Sequence, residues 1–200
     1  MMKKIIQIVM MLFTVYSFSQ TEPIATVDVN SIHSTTSINV ERGPYLQSGT
    51  PTSVIVKWRT NIATESVVNY GTLLSSLTKT EKNLTLITDH QVTLSGLTPN
   101  TKYYFNIGNN KGVLSQDLTG DMYVITAPAI GTKQFVRAWI LGDPGTANNS
   151  QREVRDAYYD YVANAPINNG KTDMMLFLGD NAYNTGKDAE YQNAFFDVYG

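Results

Sequence analysis

The run Ala138-Trp139-Ile140-Leu141 leads directly into Gly142-Asp143-Pro144-Gly145, and Met174-Met175-Leu176-Phe177-Leu178 leads into Gly179-Asp180-Asn181-Ala182-Tyr183. These two stretches decide the fold of the C-terminal part of the chain. Near-continuous apolar runs of this length are typical of parallel strands that are covered on both faces. An aspartate that follows such a strand lies at the edge where open α/β sheets bind their ligands.

The segment between the two strands has the pattern of one amphipathic helix. Ser150 and Glu153 have the spacing of a capping box at its start. Apolar residues then recur at helical spacing; they are Val154, Ala157, Tyr158, Tyr161 and Val162. Strand, helix and strand together predict one right-handed βαβ unit, and Glu190 to Tyr199 has the pattern of a further helix.

Residues 41–128 have the different pattern of an antiparallel β-sandwich. Short alternating runs between turn residues predict the strands; they are Val54–Trp58, Ser66–Tyr70, His90–Leu94, Tyr103–Ile107 and Met122–Thr126. Trp58 shares a strand face with Val54 and Val56, so we expect it in the core. A Pro-Asn turn precedes Tyr103, whose hydroxyl can bond back to the corner backbone. This resembles the tyrosine corner of fibronectin type III domains.

The first 19 residues have the three-part pattern of an export signal. Lys3 and Lys4 precede an apolar stretch, and Ser17 and Ser19 supply the small residues that a signal peptidase reads. A membrane anchor is the alternative, but the stretch is shorter than the ~18 apolar residues that a spanning helix needs, and Gln7 interrupts it. Residues 20–40 are polar and rich in Ser and Thr, which predicts a linker.

The composition of the 200 residues excludes several classes of function. The formal net charge is −2, so there is no basic excess that would favour nucleic acid. Cysteine is absent, which excludes a disulfide framework, a thiolate metal site and a thiol nucleophile.

The two Gly-Asp pairs carry the chemistry of the sequence. Either pair alone is explained by a turn, because Gly and Asp dominate turns. Both pairs flanking one βαβ crossover, with Tyr183 just beyond Asp180, favour a shared ligand crevice instead. Carboxylate and phenol oxygens are hard ligands, which suit Fe, Mn or Mg.

These motifs resemble the purple acid phosphatase family. Gly142-Asp143-Pro144-Gly145 is similar to the first metallophosphoesterase motif, and Gly179-Asp180-Asn181-Ala182-Tyr183 is similar to the second in its purple acid phosphatase form. Residues from Arg42 to Gln47, the strand that ends at Thr60, and residues 90–104 also resemble the N-terminal domain of those enzymes. The resemblance covers about residues 41–200 and implies 41–128 as a fibronectin III-like sandwich and 134–200 as the start of a metallophosphoesterase domain. Residues 1–19 and 20–40 keep their predicted roles as signal peptide and linker.

The resemblance also implies a site and an activity. Asp143 would bind a ferric ion, Asp180 would bridge two metals, and Tyr183 would bind the ferric ion as a phenolate. The second ion would be divalent Fe, Zn or Mn. The expected activity is hydrolysis of small phosphate monoesters by a water or hydroxide that the metals activate. The expected location is secreted or periplasmic, with no nucleic-acid partner and no membrane attachment after signal cleavage.

The sequence departs from the family in its histidines. The family completes its site with an Asn-His motif and two later histidine motifs, whereas this chain has only His33 and His90, both before Asp143. His33 is expected to be a solvated linker residue and His90 a structural or exposed one. We therefore expect the chain to be a fragment that ends inside the metallophosphoesterase domain and is inactive alone.

Two other functions remain open from the sequence. One is a phosphodiesterase or nucleotidase on the same scaffold, which product analysis on monoesters and diesters would separate. The other is a non-catalytic adhesion or carbohydrate-binding protein, since sandwich domains often serve as spacers. Histidine motifs encoded after Gly200 would favour the enzyme.

Export is directly testable, because signal cleavage after Ser19 leaves a mature protein that begins at or close to Gln20. Intact-mass analysis of the soluble protein from its native host checks this expectation. Recovery of soluble mature protein that still begins at Met1 would contradict it.

Overall fold

The computed structural model of the protein describes residues 37–164 and 172–200. The strands are β1 (Val40–Gln47), β2 (Ser53–Gly71), β3 (Lys79–Ser95), β4 (Lys102–Asn109), β5 (Gly112–Ser115), β6 (Tyr123–Ile125), β7 (Ala138–Leu141) and β8 (Met174–Phe177). Helix α1 spans Asn149–Asn164. A C-terminal helical segment is α-helical over Asp188–Tyr191, π-helical over Gln192–Phe196 and α-helical again over Asp197–Tyr199. The predicted signal peptide, most of the predicted linker and His33 lie outside the described residues.

Strand β2 organises the N-terminal part of the fold. Its first half pairs antiparallel with β1 and with the second half of β3. Its second half pairs with the first half of β3 and with β4. Strands β5 and β6 complete this network by pairing with opposite ends of β4. β2 therefore pairs with β1 along its first half and with β4 along its second half, and it connects these two strands in one sheet.

Apolar side chains from both halves of β2 meet in one core. Val54, Val56 and Trp58 from the first half belong to the same buried cluster as Val68 and Tyr70 from the second. The cluster is completed by Val92, Leu94, Leu97, Tyr103, Phe105, Ile107 and Val124. The predicted sandwich class is confirmed, and Trp58 is a core residue as predicted, with only 2% of its surface exposed.

His90 is a buried structural residue that packs on Trp58. The two rings stack with centroids 4.6 Å apart. The Thr60 hydroxyl donates its only proton to the carbonyl of Ile62. Its oxygen therefore accepts a hydrogen bond from His90 Nε2 at 2.8 Å. His90 Nδ1 then accepts from the Ser66 hydroxyl, also at 2.8 Å. The imidazole is thus satisfied in its neutral form, and burial lowers the pKa of His90 from its usual value.

The predicted tyrosine corner is present at the turn before β4. The backbone N–H of Thr98 donates to the Tyr103 hydroxyl at 3.0 Å, which closes the corner across the Pro-Asn turn. Hydrogen bonding with the Thr98 side chain, and then with its backbone N–H, lowers the pKa of the Tyr103 phenol. Tyr103 itself is buried in the core, so one side chain fixes both the turn and its packing.

Three features of the β region differ from the prediction. The two runs predicted as separate strands at 54–58 and 66–70 are one strand, β2, with register irregularities between Arg59 and Ser66. Strand β3 extends back to Lys79 instead of beginning near His90. Strand β5 was missed because its four residues, Gly112–Ser115, are too short to show a period. Its turn has a recognisable origin, since Asn109 Oδ1 accepts the backbone N–H groups of Lys111 and Gly112.

The C-terminal part contains the predicted parallel pair of strands. β7 and β8 pair in register from Ala138 with Met174 to Leu141 with Phe177. One face of the pair is covered by helices, because Trp139 stacks on Tyr158 of α1 at 3.9 Å and contacts Tyr199 at 5.6 Å. Among the described residues the other face exposes Ile140, Met174 and Leu176. Two strands with helices on one side leave that face without neighbours.

Helix α1 begins differently from the prediction. It starts at Asn149, and Asn148 Oδ1 caps it by accepting the backbone N–H of Gln151 at 2.9 Å. The predicted capping box of Ser150 and Glu153 is therefore wrong, because the helix starts ahead of it. The predicted apolar stripe is right only in part: Val162 and Tyr158 pack inward, while Val154 and Tyr161 are exposed.

No helix among the described residues is long and apolar enough to span a membrane. The domain boundaries inferred from the sequence remain predictions.

Replacing Trp58 with alanine should lower the free energy of unfolding by about 3–5 kcal/mol, because a large buried ring is lost from the core. Denaturant unfolding of the chain measures this change. The matched control is Leu84→Ala, because Leu84 is 66% exposed and surface changes stay within about 0.5 kcal/mol. A loss below about 1 kcal/mol for Trp58→Ala would contradict its role as a core residue.

Candidate metal site

The two motif aspartates lie in the loops that follow the two parallel strands. Asp143 comes two residues after the end of β7, and Asp180 comes three residues after the end of β8. Both residues have a left-handed backbone conformation with φ of 54°, which few residues other than Gly, Asn and Asp adopt readily. Both are exposed. Because the strands are parallel and in register, their ends bring the two carboxylates to the same edge of the sheet.

Tyr183 connects the two loops chemically. Its hydroxyl donates to Asp143 Oδ1 at 2.5 Å. The hydrogen bond to Asp143 and, as a second cause, one to Asp180 raise the pKa of the Tyr183 phenol well above its usual value. Both carboxylates therefore act on this one hydroxyl, and three oxygens from the two predicted motifs meet in one place.

The two loops also pack backbone against backbone at Gly145. The carbonyl of Gly145 accepts the backbone N–H of Tyr183 at 2.9 Å. A β-carbon at position 145 would lie 2.3 Å from the Asp180 carbonyl oxygen and 2.5 Å from the Ala182 nitrogen. Only glycine therefore fits here, which gives the last glycine of the first motif a steric reason.

Gln151 fixes the loop that carries Asp143. Its side-chain oxygen accepts the backbone N–H of Ala147 at 2.6 Å, and its side-chain nitrogen donates to the carbonyl of Ala194 at 2.6 Å. Arg152 donates to the carbonyl of Ala147 as well. Gln151 is buried, so the end of the first loop is tied to the π-helical turn of the C-terminal segment.

Glu190 fixes the loop that carries Tyr183. Its carboxylate accepts the backbone N–H groups of Asn184, Thr185 and Lys187 at 2.9, 3.0 and 2.9 Å. It also accepts the Thr185 hydroxyl at 3.0 Å. These bonds, led by the one from Lys187, lower the pKa of Glu190 to about 2.

The sandwich contacts the same C-terminal segment through two arginines. Arg42 of β1 donates to Asp188 at 3.1 Å and to Gln192 at 2.7 Å, and its guanidinium lies 4.3 Å from the ring centroid of Phe196. Arg59 of β2 donates to the other oxygen of Asp188 at 2.5 Å. The two arginines, Arg59 first, lower the pKa of the Asp188 carboxyl.

The three converging oxygens fit a hard cation. Two carboxylates and a phenol match the ligands that ferric, manganous or magnesium ions prefer, and the carboxylates give the crevice a negative field that attracts cations. The described residues contain no cluster of three or more His, Cys, Asp and Glu side chains that could hold a metal. His90 cannot join the site because it is enclosed in the sandwich core.

A comparison with protein families matches residues 42–120 to the model described as "Purple acid Phosphatase, N-terminal domain". The match covers 79 of the 200 residues and describes the sandwich, not the whole chain. The match covers most of β1, all of β2 to β5 and the arginines that hold Asp188, so the predicted relationship is confirmed for this part of the sandwich. The sandwich is therefore similar to the N-terminal domain of purple acid phosphatases.

Solved structures similar to the chain include one described as PhoD, with 14% identity and a TM-score of 0.49. That match covers 76% of this chain but only 28% of PhoD. The sensor domain of the anti-sigma factor RsgI4 from Pseudobacteroides cellulosolvens has 16% identity and a TM-score of 0.34, over 50% of this chain and 97% of its own. A fibronectin type III domain of human contactin 1 has 18% identity and a TM-score of 0.34, over 50% and 84%. No curated protein matches the chain.

The supporting residues around the crevice were missed by the sequence reasoning. Gln151, Asp188 and Glu190 act through long-range or loop-closing hydrogen bonds, which a periodic sequence pattern does not predict. One local signal was available for Glu190, because a glutamate three residues after a helix start often accepts the backbone N–H of the capping position. Asp188 and its arginines are separated by well over a hundred residues in sequence, so only the fold reveals that pairing.

The close approach at Gly145 predicts a sharp contrast between two neighbouring glycines. Gly145→Ala should lower the free energy of unfolding by about 1–3 kcal/mol, because backbone atoms of the facing loop must move aside. The control is Gly142→Ala, because a β-carbon at position 142 meets nothing within 4 Å. Denaturant unfolding of both variants provides the comparison. Equal stability of the two would show that the loops are not held in contact.

Proposed function

We propose that the chain belongs to an exported phosphatase with a dinuclear metal centre, in which Asp143, Asp180 and Tyr183 are the metal ligands that this part supplies. The observation that carries the proposal is the meeting of the Tyr183 hydroxyl with Asp143 across the ends of the two parallel strands. The proposed substrates are small phosphate monoesters. The proposed location is secreted or periplasmic, which is typical of the family.

The family relationship of the sandwich supports this proposal independently of the site. A sandwich alone is compatible with adhesion or spacing, because a fold does not determine a function. The neighbouring βαβ unit adds what a spacer does not need: two aspartates in left-handed conformations and a tyrosine hydrogen-bonded between their loops. The coincidence of the two features favours the enzyme over a non-catalytic module.

Each of the three residues has a definite task in this proposal. Asp180 would act as the bridging carboxylate and Asp143 as a ligand of one metal only. Tyr183 must lose its hydroxyl proton to bind a metal; without a metal the phenol keeps this proton and donates it in a hydrogen bond to Asp143 Oδ1. When bound, a pair of cations would lower the pKa of a coordinated water and neutralise the phosphate in the transition state.

The proposed centre requires more ligands than the described residues offer. Hard cations prefer about six oxygen or nitrogen ligands each, whereas Asp143, Asp180 and Tyr183 offer three side chains for two metals. Residues 20–200 alone are therefore expected to bind metal weakly, to be colourless and to leave nitrophenyl phosphate intact. A longer form that supplies further ligands is expected to bind two metals and to hydrolyse this ester.

Site variants of the active form test the assignment. Asp180→Ala should abolish hydrolysis, because the shared ligand is lost. Tyr183→Phe should remove any visible phenolate-to-iron absorption but retain part of the activity, because only one ligand of one metal is lost. The matched control is Asp160→Ala, at an exposed position on α1, which should leave both properties unchanged.

The measurements are metal analysis, a visible spectrum, and rates on nitrophenyl phosphate and bis-nitrophenyl phosphate. Faster hydrolysis of the diester than of the monoester would indicate that the protein is a phosphodiesterase with the same metal centre. Full activity in Asp180→Ala would overturn the assignment of the site.

A further inference from the structure

We propose that Glu190 is a positioning residue for Tyr183, and that the sandwich holds it in place through Asp188. In this arrangement the N-terminal domain helps to build the metal site without touching it. The inference rests on the proposed function where it treats Tyr183 as a ligand, but its main test does not depend on any activity.

Glu190 holds the loop after Tyr183 with an unusual concentration of bonds. Residues 184–187 are exposed, so their backbone N–H groups would otherwise be left to water. Three of the four, those of Asn184, Thr185 and Lys187, donate to the one carboxylate of Glu190. Hydrogen bonds to a charged acceptor are about twice as strong as neutral ones. Glu190 therefore holds the backbone of residues 184–187, beginning with Asn184, which directly follows Tyr183.

Asp188 connects the helical turn that contains Glu190 to the sandwich. Asp188 opens the helical turn that contains Glu190, and its two oxygens accept bonds from Arg42 and Arg59 of β1 and β2. Arg42 is well buried, with 9% of its side chain exposed, and Phe196 packs under its guanidinium. The position of the turn is thus set by two strands of the sandwich.

The direction of the effect follows from the order of the contacts. The strands hold Asp188, the helical turn places Glu190, and Glu190 holds the loop whose first peptide follows Tyr183. Tyr183 is itself 38% exposed. Its hydroxyl bonds to Asp143 and its backbone N–H bonds to Gly145, while Glu190 holds the loop that follows it. A loop that moved freely at residue 184 would spread the phenol over many positions, and ligand positions must hold to within about 0.5 Å for a site to work.

Glu190→Gln is the informative substitution because it keeps size and removes the charge. One of the two acceptor oxygens becomes an NH2 group, which faces N–H donors instead of accepting from them. The matched control is Glu153→Gln, the same change at an exposed position on α1. Asp188→Asn weakens the connection to the sandwich and leaves the Glu190 carboxylate intact.

Amide hydrogen exchange of the 200-residue chain, resolved by NMR, is the first measurement. In Glu190→Gln, exchange at Asn184, Thr185 and Lys187 should accelerate at least tenfold, and in Asp188→Asn by a smaller factor of about three. Exchange at core residues such as Val56 and Val92 should not change in either variant. Glu153→Gln should leave all five amides as they are.

The second measurement reports on Tyr183 itself. A fluorotyrosine incorporated at position 183 gives a single fluorine resonance. We expect that resonance to broaden or shift in Glu190→Gln and in Asp188→Asn, and to stay unchanged in Glu153→Gln. Unchanged loop exchange in Glu190→Gln, or an unchanged fluorine resonance, would overturn the positioning role. Accelerated exchange throughout the core would also overturn it, because Glu190 would then be a general stabilising residue.

Failure of this inference is distinguishable from failure of the proposed function. Altered exchange and an altered fluorine signal, together with full activity in Asp180→Ala, would keep the positioning role and remove the phosphatase assignment. Unchanged signals together with loss of activity in Asp180→Ala would do the reverse.

Discussion

Asp188 is the point at which the two parts of this protein are joined. A carboxylate between two arginines gives a contact of opposite charges in fixed directions, because each guanidinium presents its donors in a rigid fork. Both arginines lie on strands whose registers are set by the sandwich core. The helical segment that carries Asp188 in turn holds both loops of the crevice, one through Glu190 and the other through the carbonyl of Ala194.

The crevice brings two exposed aspartates to one tyrosine hydroxyl. Asp143 and Asp180 act on one phenol, and their effect is to keep its proton in place. The supporting carboxylate is treated differently: backbone N–H groups surround Glu190 and favour its charged form. The charge of Glu190 is therefore compensated by backbone N–H groups, whereas Asp143 and Asp180 leave a negative field at the solvent.

Much of the architecture could be predicted from the sequence, because it rests on local patterns. Alternation placed Trp58 in the core, the turn ahead of Tyr103 placed the corner, and two apolar runs placed β7 and β8. The two aspartates and Tyr183 were found by the motifs at the strand ends, and the structure brings the Tyr183 hydroxyl onto Asp143. The start of α1 was misplaced, because Asn148 and Ser150 both have capping chemistry and only the fold selects one. The roles of Gln151 and Asp188 depend on contacts between distant segments, which no single-sequence pattern contains.

The π-helical turn at Gln192–Phe196 allows the C-terminal segment to contact the sandwich on one side and the βαβ unit on the other. Such a turn amounts to one extra residue within an α-helix. On the sandwich side it presents Gln192 and Phe196 to Arg42, and on the other side it leaves Ala194 and Phe195 facing Gln151 and Phe177. Each residue of an α-helix turns the chain by about 100°. A shortened, regular helix would satisfy one of these surfaces and rotate the other out of reach, so the irregularity is what allows one short segment to face both.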